Sequence, residues 1–502
     1  MTSANRHGPW HGALSRGGLG RHARTAPLTT LVAAFTATLL STPLHAESLQ
    51  DALRQALRSS PILAAAQADT VATSETIAQA RANGRPRASL STSETEFIKR
   101  STNSTLAPTR TLRSDMSISV PLYRSGVVRY AVKEAEERYD ATTQTFRATV
   151  ANLFAAVVEA YSDVLRDEAI VRASERNVTA LRLNLRAIKG RFSIGDMTVT
   201  DVALSEARLS LAEGSLQAAR AQLVASRESY IRVVGHPAAE LRDIAPWTRL
   251  PERVDAAVSE AIANNGTLRA ARIGIDAAGY RIKSLEGERG LQVSAIGSGN
   301  YFNNLNSVQS RSIFAPQNRG TSAQVGVLLD LPLYQGGLPA SRIRQALADR
   351  NGAIEQAIAI ERDIVAQARS AYAAWRSAQD YLDKAQIAIT ANEKALKGAR
   401  SENAIGTRTL LDVLDTEREL FNNYVIAASV RRDINVAAFN LLALMGRADP
   451  DDLGILGDAA ARGIGPVAPR GSWSDWADGA RRYASASTTT QSTQPQDGVV
   501  AP

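Results

Sequence analysis

Apolar residues recur at alternating intervals of four and three along the second half of the chain. The stripe consists of Ile364, Ala368, Ala371, Trp375, Ala378, Leu382, Ala385 and Ile389. This heptad spacing predicts long helices that pack side by side as in a coiled coil. The first half has matching positions at Leu153, Val157, Ala160 and Val164. Many of these positions are alanine, so the helices can approach closely and leave little bulk for one central core.

The distribution of proline predicts two very long helical stretches. No proline lies between Pro121 and Pro237, or between Pro339 and Pro450, and both stretches are rich in Ala, Leu, Arg, Glu and Gln. These residues favour helix, whereas proline interrupts it. A helix from about residue 127 to 189 would be about 95 Å long at ~1.5 Å per residue. That length exceeds an ordinary globular domain.

Four shorter segments alternate polar and apolar residues, which indicates β-strands with two different faces. They are residues 88–95, 114–120, 293–302 and 322–331. Aromatic residues gather at the strand ends, namely Phe97, Tyr123, Tyr301, Phe302, Phe314 and Tyr334. Strands of about ten residues with aromatic boundaries are typical of a membrane β-barrel, and the edge of a soluble sheet is the alternative.

The sequence contains an internal duplication. Val120-Pro-Leu-Tyr-Arg-Ser-Gly126 recurs 211 residues later as Leu331-Pro-Leu-Tyr-Gln-Gly-Gly337. The same offset relates Tyr161 to Tyr372, Gly195 to Gly406, Asp201 to Asp412, Glu206 to Glu417 and Gly235 to Gly446. Upstream, residues 56–63 match 261–268 at an offset of 205, so six residues are extra in the second copy. Each copy predicts a helix, two strands, a very long helix, a turn and a further helix.

These patterns divide the chain into five parts. A leader at 1–46 precedes the first repeat at 47–237, which has a strand pair at 86–123 and long helices at 124–234. A linking segment at 238–260 precedes the second repeat at 261–446, which has a strand pair at 291–333 and long helices at 338–445. The last part is 447–502. Its end, from residue 485, is rich in Ser, Thr, Gln and Pro and is expected to be disordered.

The leader has the order of a secretory signal peptide: a basic stretch, an apolar run from Leu28 to Leu40, and a small-residue cleavage site at Leu44-His-Ala46. A plain membrane anchor is the alternative, but the run is short for a bilayer. Removing residues 1–46 lowers the formal net charge from +8 to +4. The remaining basic residues are interleaved with acidic ones, so nucleic acid is not expected as a partner.

Residue counts argue against an enzyme. The chain has no Cys, and only His236 of its five histidines lies beyond the leader. These counts exclude a Cys–His nucleophile, a thiolate metal site and a multi-histidine zinc site, although hydrolysis by carboxylates alone remains possible. No phosphate-binding Gly-x-x-x-x-Gly-Lys loop and no Gly-x-Ser-x-Gly elbow occurs. We therefore predict no enzymatic activity, no cofactor and no metal.

The absence of Cys also bears on membrane attachment, because a bacterial lipoprotein needs an N-terminal Cys to carry its lipid. Beyond the leader we expect no apolar segment near 18 residues and hence no transmembrane helix. A membrane location would then require a β-barrel. Four strands cannot close a barrel, whereas three copies of the chain would supply twelve.

With these features together, the chain resembles the TolC family of outer-membrane export channels over roughly residues 47–450. The most specific stretch is Ile405-Gly-Thr-Arg-Thr-Leu-Leu-Asp-Val-Leu-Asp415. The second match is the strand-to-helix switch that each repeat carries, with Pro121, Tyr123 and Gly126 in the first and Pro332, Tyr334 and Gly337 in the second. Because the chain has no lipid-bearing Cys, it is more similar to the non-acylated secretion and efflux members of the family than to the acylated ones.

The resemblance implies a mixed α+β fold, in which long antiparallel coiled-coil helices form a tunnel and four strands per chain join a trimeric twelve-stranded outer-membrane β-barrel. An equatorial belt is expected near 238–260 and 447–457. The implied partners are two further copies, outer-membrane lipid, a periplasmic adaptor and an inner-membrane ABC or proton-driven pump. The implied function is an exit duct for type I protein secretion or drug efflux. A soluble periplasmic coiled-coil adaptor is the alternative, which the paired strands disfavour.

The resemblance also assigns roles at the two helix turns, near Gly195 and Gly406. It implies a periplasmic entrance there, with Arg408 as the lock residue and Thr200 and Asp201 as its partners on a neighbouring helix. Asn403 stands where the family's lock has an aromatic residue. Asp412 and Asp415 match an acidic ring at the constriction.

Helix capping is the alternative for Asp201 and Asp412, because each follows a threonine by three residues. For Asp415 the alternative is a solvated acid near a helix N-terminus. Farther along, Trp473 and Trp476 precede the disordered end, either as a loosely packed tail or as a short segment that binds a partner.

Overall fold

The computed structural model describes residues 46–99, 107–308, 317–455 and 475–476. The predicted signal peptide, Phe314, Trp473 and the polar end of the tail lie outside the described residues. Trp476 is described and is 92% exposed.

Twelve helices and strands make up the described chain, and six element types occur twice in the same order. In chain order they are α1 (Leu49–Ser59), α2 (Pro61–Ala82), β1 (Arg87–Glu96), β2 (Arg110–Arg124), α3 (Val127–Ser193), α4 (Val199–Val234), α5 (Val254–Asn264), α6 (Gly266–Gly287), β3 (Gln292–Asn303), β4 (Arg319–Asp330), α7 (Leu338–Ala404) and α8 (Leu410–Leu444). The helix lengths agree closely between the halves: α3 and α7 both have 67 residues.

The single helix expected before each strand pair is two helices in the structure. Ser60 and Asn265 have extended backbones, with ψ of 117° and 124°, and each caps the helix that follows. Pro61 then occupies the first position of α2, where its missing N–H costs nothing. The chain therefore bends at these two residues. In the second half α5 begins at Val254 and buries Ala257 and Ala261 completely.

The four strands form one antiparallel sheet in the order β1-β2-β3-β4. Arg87 pairs with Ser119 in the first hairpin, and Gln292 pairs with Asp330 in the second, which are equivalent positions at the offsets of 205 and 211. The first hairpin stops pairing at Glu96 and Arg110, whereas the second continues to Asn303 and Arg319. The six extra residues of the second half therefore lie at the tip of the β3–β4 hairpin.

The predicted heptad stripe on α7 is confirmed. Ile364, Ala368, Trp375, Ala385 and Ile389 are at most 8% exposed, and the remaining stripe residues are half-buried. They pack α7 against α5, α6 and α8, while α3 packs against α1, α2, α4, α6 and α8. The apolar contacts form several small clusters along the helices, as the many alanines predict.

The largest cluster lies midway along α3. It joins α1, α3, α4 and the end of α8 through fully buried residues that include Phe154, Tyr161, Tyr230 and Phe439. The segments after α4 and α8 pack on it through Leu241, Trp247 and Ile455, in the regions expected for the belt. The Tyr161 hydroxyl lies 2.8 Å from the Glu47 carbonyl and 2.7 Å from the Arg242 carbonyl, so α3 holds both chain segments.

The expectation that no apolar segment beyond the leader reaches 18 residues was wrong. Helix α3 contains one 18-residue window with a mean hydropathy of 1.3, and half of that window is buried inside the protein. Between Phe146 and Val164 the apolar side chains of α3 fill the large cluster. Packing within the chain therefore accounts for this apolar surface.

Candidate functional site

The two faces of the sheet differ sharply in chemistry, because residues that are directly opposite on neighbouring strands share a face. One row across the four strands is Ser91, Asp115, Asn300 and Ser322, and the next polar row is Ser89, Ser117, Ser298 and Gln324. The alternate rows carry Leu90, Met116, Ile118, Val325, Val327 and Leu329. The alternation predicted from sequence thus gives one polar face and one apolar face.

The apolar face is exposed in the chain. Val325 is 92% exposed, Leu90 72% and Leu329 63%. Such a large apolar surface is unfavourable in water but is normal for a strand that faces lipid. The hairpin end of this face is different, since Arg110 forms ion pairs with Glu94 at 2.7 Å and Glu96 at 3.9 Å.

The polar face has an ordered charged cluster at its centre. The Asp115 carboxylate accepts hydrogen bonds from the Arg113 Nε at 2.9 Å and from the Asn300 amide nitrogen at 2.7 Å. These contacts connect β2 with β3 across the middle of the sheet. A face of this kind suits a water-filled interior.

Each strand-to-helix switch ends in a glycine with a left-handed backbone. Gly126 has φ of 84° and Gly337 has φ of 83°, and each precedes the first residue of a 67-residue helix. Pro121 and Tyr123 flank an irregularity in the pairing of β2 with β3. In the second switch, Pro332 and Tyr334 follow the end of β4, and Tyr334 is 88% exposed.

The two helix apices are built alike. Gly195 and Gly406 have φ of 83° and 78° and end α3 and α7 in the left-handed conformation. Thr198 and Thr409 then cap α4 and α8, and each hydroxyl lies 3.2 Å from the backbone N–H of the acid three residues on. This geometry confirms the capping interpretation.

The capping acids are held as carboxylates. Asp201 accepts from the Thr198 hydroxyl at 2.7 Å and from its backbone N–H at 2.9 Å. The hydrogen bond from the threonine side chain is the main reason that the pKa of Asp201 lies below its usual value. Asp412 has the same arrangement with Thr409, and its pKa is lowered for the same reason.

Asp415 lies one turn farther along α8 and has different partners. Its Oδ1 is 3.1 Å from the Arg208 Nη2 on α4 and 3.5 Å from the Arg418 Nη2 on its own helix. The first of these contacts connects the α3–α4 hairpin with the α7–α8 hairpin. Apolar contacts support it, since Leu410 and Leu414 of α8 are buried in the cluster formed by α3 and α4. Sequence analysis missed Arg208, because its counterpart in the other repeat is Glu419.

The predicted lock residues are not brought together within one chain. The Arg408 Nε lies 3.3 Å from the Glu402 carboxylate, and Asn403 donates its side-chain N–H to the Arg408 carbonyl at 2.9 Å. Thr200 is exposed on the other apex, one residue before the capping Asp201. The lock between neighbouring helices therefore stays a prediction.

One further ion pair near the apices occurs in both halves. Lys189 pairs with Glu206 at 2.6 Å, and Arg400 pairs with Glu417 at 2.5 Å, at equivalent positions. The first pair is exposed, whereas the Glu417 side chain is only 6% exposed. The match between Glu206 and Glu417 was visible in the sequence, but their partners were not.

A family model and several curated proteins resemble the chain. The model of the outer membrane efflux protein family matches residues 52–236 and 257–447. The outer membrane efflux protein BepC of Brucella suis is 30% identical, over 65% of this chain and 70% of that protein. The outer membrane protein TolC of Escherichia coli is 25% identical, over 84% and 86%. The alkaline protease secretion protein AprF of Pseudomonas aeruginosa is 24% identical, over 71% and 74%.

Solved structures share the fold. The outer membrane protein VceC from Vibrio cholerae matches with a TM-score of 0.66 and 20% identity, over 79% of this chain and 96% of that one. The four-stranded sheet and the pair of 67-residue helices thus belong to a known architecture.

Proposed function

The chain belongs to the outer membrane efflux protein family, and we propose that three copies of it form a passive exit duct across the outer membrane and the periplasm. The observation that carries this proposal is the sheet, with its exposed apolar face and its polar opposite face. In a soluble adaptor this exposed apolar face would be unfavourable. Under this proposal the apolar face contacts outer-membrane lipid.

Closure of the barrel supports the number of copies. Within the described residues, β1 and β4 each pair along one edge only, and unpaired edges cannot lie exposed in a membrane. Three sheets of four strands would close into a barrel of twelve antiparallel strands, an even number within the range of such barrels. The internal duplication would then give the helices below an approximate sixfold arrangement.

The long helices supply the second part of the duct. A helix of 67 residues is about 100 Å long at ~1.5 Å per residue, enough to extend far into the periplasm. We infer that the helices form a tunnel continuous with the barrel, with the two apices at its inner end. Transport would be driven by an inner-membrane ABC or proton-driven pump through a periplasmic adaptor. BepC is named for efflux and AprF for protease secretion, and both substrate classes fit this duct.

We propose that the apices close the tunnel. In the trimer, Arg408 would contact Thr200 and Asp201 of a neighbouring copy in place of Glu402. The exchange costs little, because the Arg408–Glu402 pair is exposed and such pairs are worth about 0–1 kcal/mol. Replacing Arg408 by Ser should raise the single-channel conductance in planar bilayers. An unchanged conductance would place the lock elsewhere.

Asp412 and Asp415 would form a ring of six carboxylates at the entrance, which favours cations. The structure distinguishes the two acids, since Asp412 is engaged in its cap whereas Asp415 contacts Arg208. We expect Asp415→Ala to weaken block by trivalent cations and Asp412→Ala mainly to loosen the apex. Arg208→Ala should strengthen the block, because it removes one of the two arginines that contact the Asp415 carboxylate. Equal block in wild type and Asp415→Ala would refute the ring assignment.

The test of the duct itself is reconstitution of the purified protein in planar bilayers. We expect a small cation-selective conductance that Arg408→Ser increases. Gly195→Ala serves as a matched control, because it disturbs an apex without removing a charge. A folded protein that inserts in the outer membrane but conducts no ions in any variant would contradict the proposal.

A further inference from the structure

The first strand-to-helix switch is covered by the end of α6. The Ser125 hydroxyl donates to the Leu291 carbonyl at 2.7 Å. A Cβ on Gly290 would lie 2.2 Å from the Ser125 Oγ, and a Cβ on Gly287 would lie 2.5 Å from the Ser125 carbonyl oxygen. Both glycines are therefore needed for this close approach. The switch and the end of α6 fit only because one side has no side chains.

The second switch has the same backbone but no cover. Gly336 is equivalent to Ser125, and within the described residues a Cβ on Gly336 or Gly337 would meet nothing within 4 Å. Gly336 has φ of 62°, but Ser125 adopts φ of 46° with a side chain. The backbone conformation alone therefore does not require glycine at position 336. The left-handed φ favours glycine at position 336, and a close contact with a second copy would favour it further.

Strand β4 also stops earlier than its counterpart. β2 continues to Arg124 because β3 pairs with it as far as Gln292. β4 ends at Asp330, and residues 331–335, which correspond to 120–124, form no strand. Within the described chain, β2 has a neighbour on both edges and β4 on one. Residues 331–335 are the ones that would pair with a strand on the other edge of β4.

We propose that the end of α2 and the start of β1 from a second copy of this chain cover the second switch, as the end of α6 and the start of β3 cover the first. The proposal rests on the trimer proposed above and adds its register. Ser119 lies opposite Ile296 in the sheet. At offsets of 211 and 205, Asp330 then lies opposite Ser91 of the second copy.

The side chains at the steric contact are complementary. Where Ser125 of the first switch faces Gly290, Gly336 of the second switch would face Arg85. In the first contact the switch carries the side chain and the residue after the helix is glycine. In the second contact the switch carries the glycine and the residue after the helix has the side chain. At this position each contact keeps one side chain and one glycine. The counterpart of Gly287 is Ala82, so the helix end would lie slightly farther from the Gly336 carbonyl than the end of α6 lies from the Ser125 carbonyl.

The charges at the next position are complementary in the same way. The Arg124 Nη2 donates to the Gln292 side-chain oxygen at 3.4 Å. The equivalent positions between copies are Gln335 and Arg87. The guanidinium would therefore be on the strand of the second copy and the amide on the switch. Each pair keeps one cation and one hydrogen-bond acceptor. Two independent exchanges at adjacent positions are the pattern expected of a real contact.

Cysteine cross-linking tests the register, because the chain contains no Cys. We expect the double variant Asp330→Cys with Ser91→Cys to form disulfide-linked trimers on mild oxidation, seen on a non-reducing denaturing gel. Ser119→Cys with Ile296→Cys is the matched control at the equivalent position and should lose its thiols while remaining a monomer on the gel. Asp330→Cys with Ser93→Cys is shifted by two residues and should link poorly.

The outcomes separate this inference from the trimer itself. A trimer in native mass measurement that cross-links best through Ser93, or at neither position, would overturn the register and leave the proposed function standing. A monomer that never cross-links would overturn both. Preferential linkage through Ser91 supports both.

A size exchange provides a second test. Gly336→Ser should reduce the fraction of heat-resistant trimer severalfold, because its side chain would collide with Arg85 of the second copy. Adding Arg85→Gly recreates the arrangement of the first switch and should restore the trimer. Full trimer yield from Gly336→Ser alone, or no recovery in the double variant, would overturn the steric contact.

Discussion

Helices α3 and α7 have the same length and the same heptad pattern, but they differ in burial. α3 packs against α1, α2, α4, α6 and α8, whereas α7 packs against α5, α6 and α8. Sixteen of the 67 residues of α3 are buried, against ten of 67 in α7. The heptad pattern alone therefore does not determine how much of a helix is buried by its neighbours. One flank of α7 is open, and we expect a second copy to occupy it.

The largest expected difference between the halves concerns Tyr161 and its counterpart Tyr372. Tyr161 is fully buried and contacts two backbone carbonyls, whereas Tyr372 is partly exposed and donates to the Glu252 carbonyl at 2.6 Å. Tyr161→Ala should lower the free energy of unfolding by about 3–5 kcal/mol and Tyr372→Ala by about 1–2 kcal/mol. Denaturant titration of the detergent-solubilised protein measures both. Equal losses would show that the two halves are equally packed.

The repeated ion pair near the apices gives a second comparison. Arg400→Ala should cost about 2 kcal/mol, because it leaves the buried Glu417 carboxylate without its cation. Lys189→Ala removes the exposed counterpart and should cost no more than about 1 kcal/mol. The same titration measures this difference. A larger loss for Lys189→Ala would contradict the burial argument.

The caps should behave alike in the two halves. Thr198→Ala and Thr409→Ala each remove a side-chain oxygen from a helix N-terminus and should cost about 1 kcal/mol. Hydrogen exchange of the first turns of α4 and α8 reports each cap separately. A cap that can be removed without faster exchange would show that its apex is held by other contacts.

The smallest expected effect is a pH dependence confined to the first half. The His236 Nε2 lies 3.3 Å from the Glu47 carboxylate, and this hydrogen bond is the main reason that the pKa of His236 is raised. Because the folded pKa exceeds the unfolded value, this stabilisation is complete below about pH 6.5 and is lost as the pH rises through the folded pKa. The difference in thermal stability between pH 6 and pH 8 should shrink in His236→Gln. If the difference between pH 6 and pH 8 is unchanged in His236→Gln, another titratable group causes the pH dependence.

Local patterns predicted the features that depend on neighbours along the chain. The heptad stripe fixed which face of α7 is buried, and a threonine followed by an acid three residues later fixed the caps at Asp201 and Asp412. The left-handed turns followed from Gly195 and Gly406. Each of these depends on periodicity or on hydrogen bonds within a few residues, which one sequence contains.

Contacts between distant segments could not be predicted in this way. The pair formed by Arg208 and Asp415 depends on how the tip of α8 leans on α3 and α4, and no repeat partner indicates it. The pairing of Arg408 with Glu402 could not be predicted either, because it depends on how the chain turns at Gly406. The bends at Ser60 and Asn265 were missed because both residues were assigned to continuous helices.

The central claim is that three copies of the chain form one outer-membrane channel. The most direct test is native mass measurement of the protein extracted from separated membrane fractions. We expect it in the outer-membrane fraction with three times the mass of the processed chain. Recovery from the periplasm as a soluble monomer would contradict the claim.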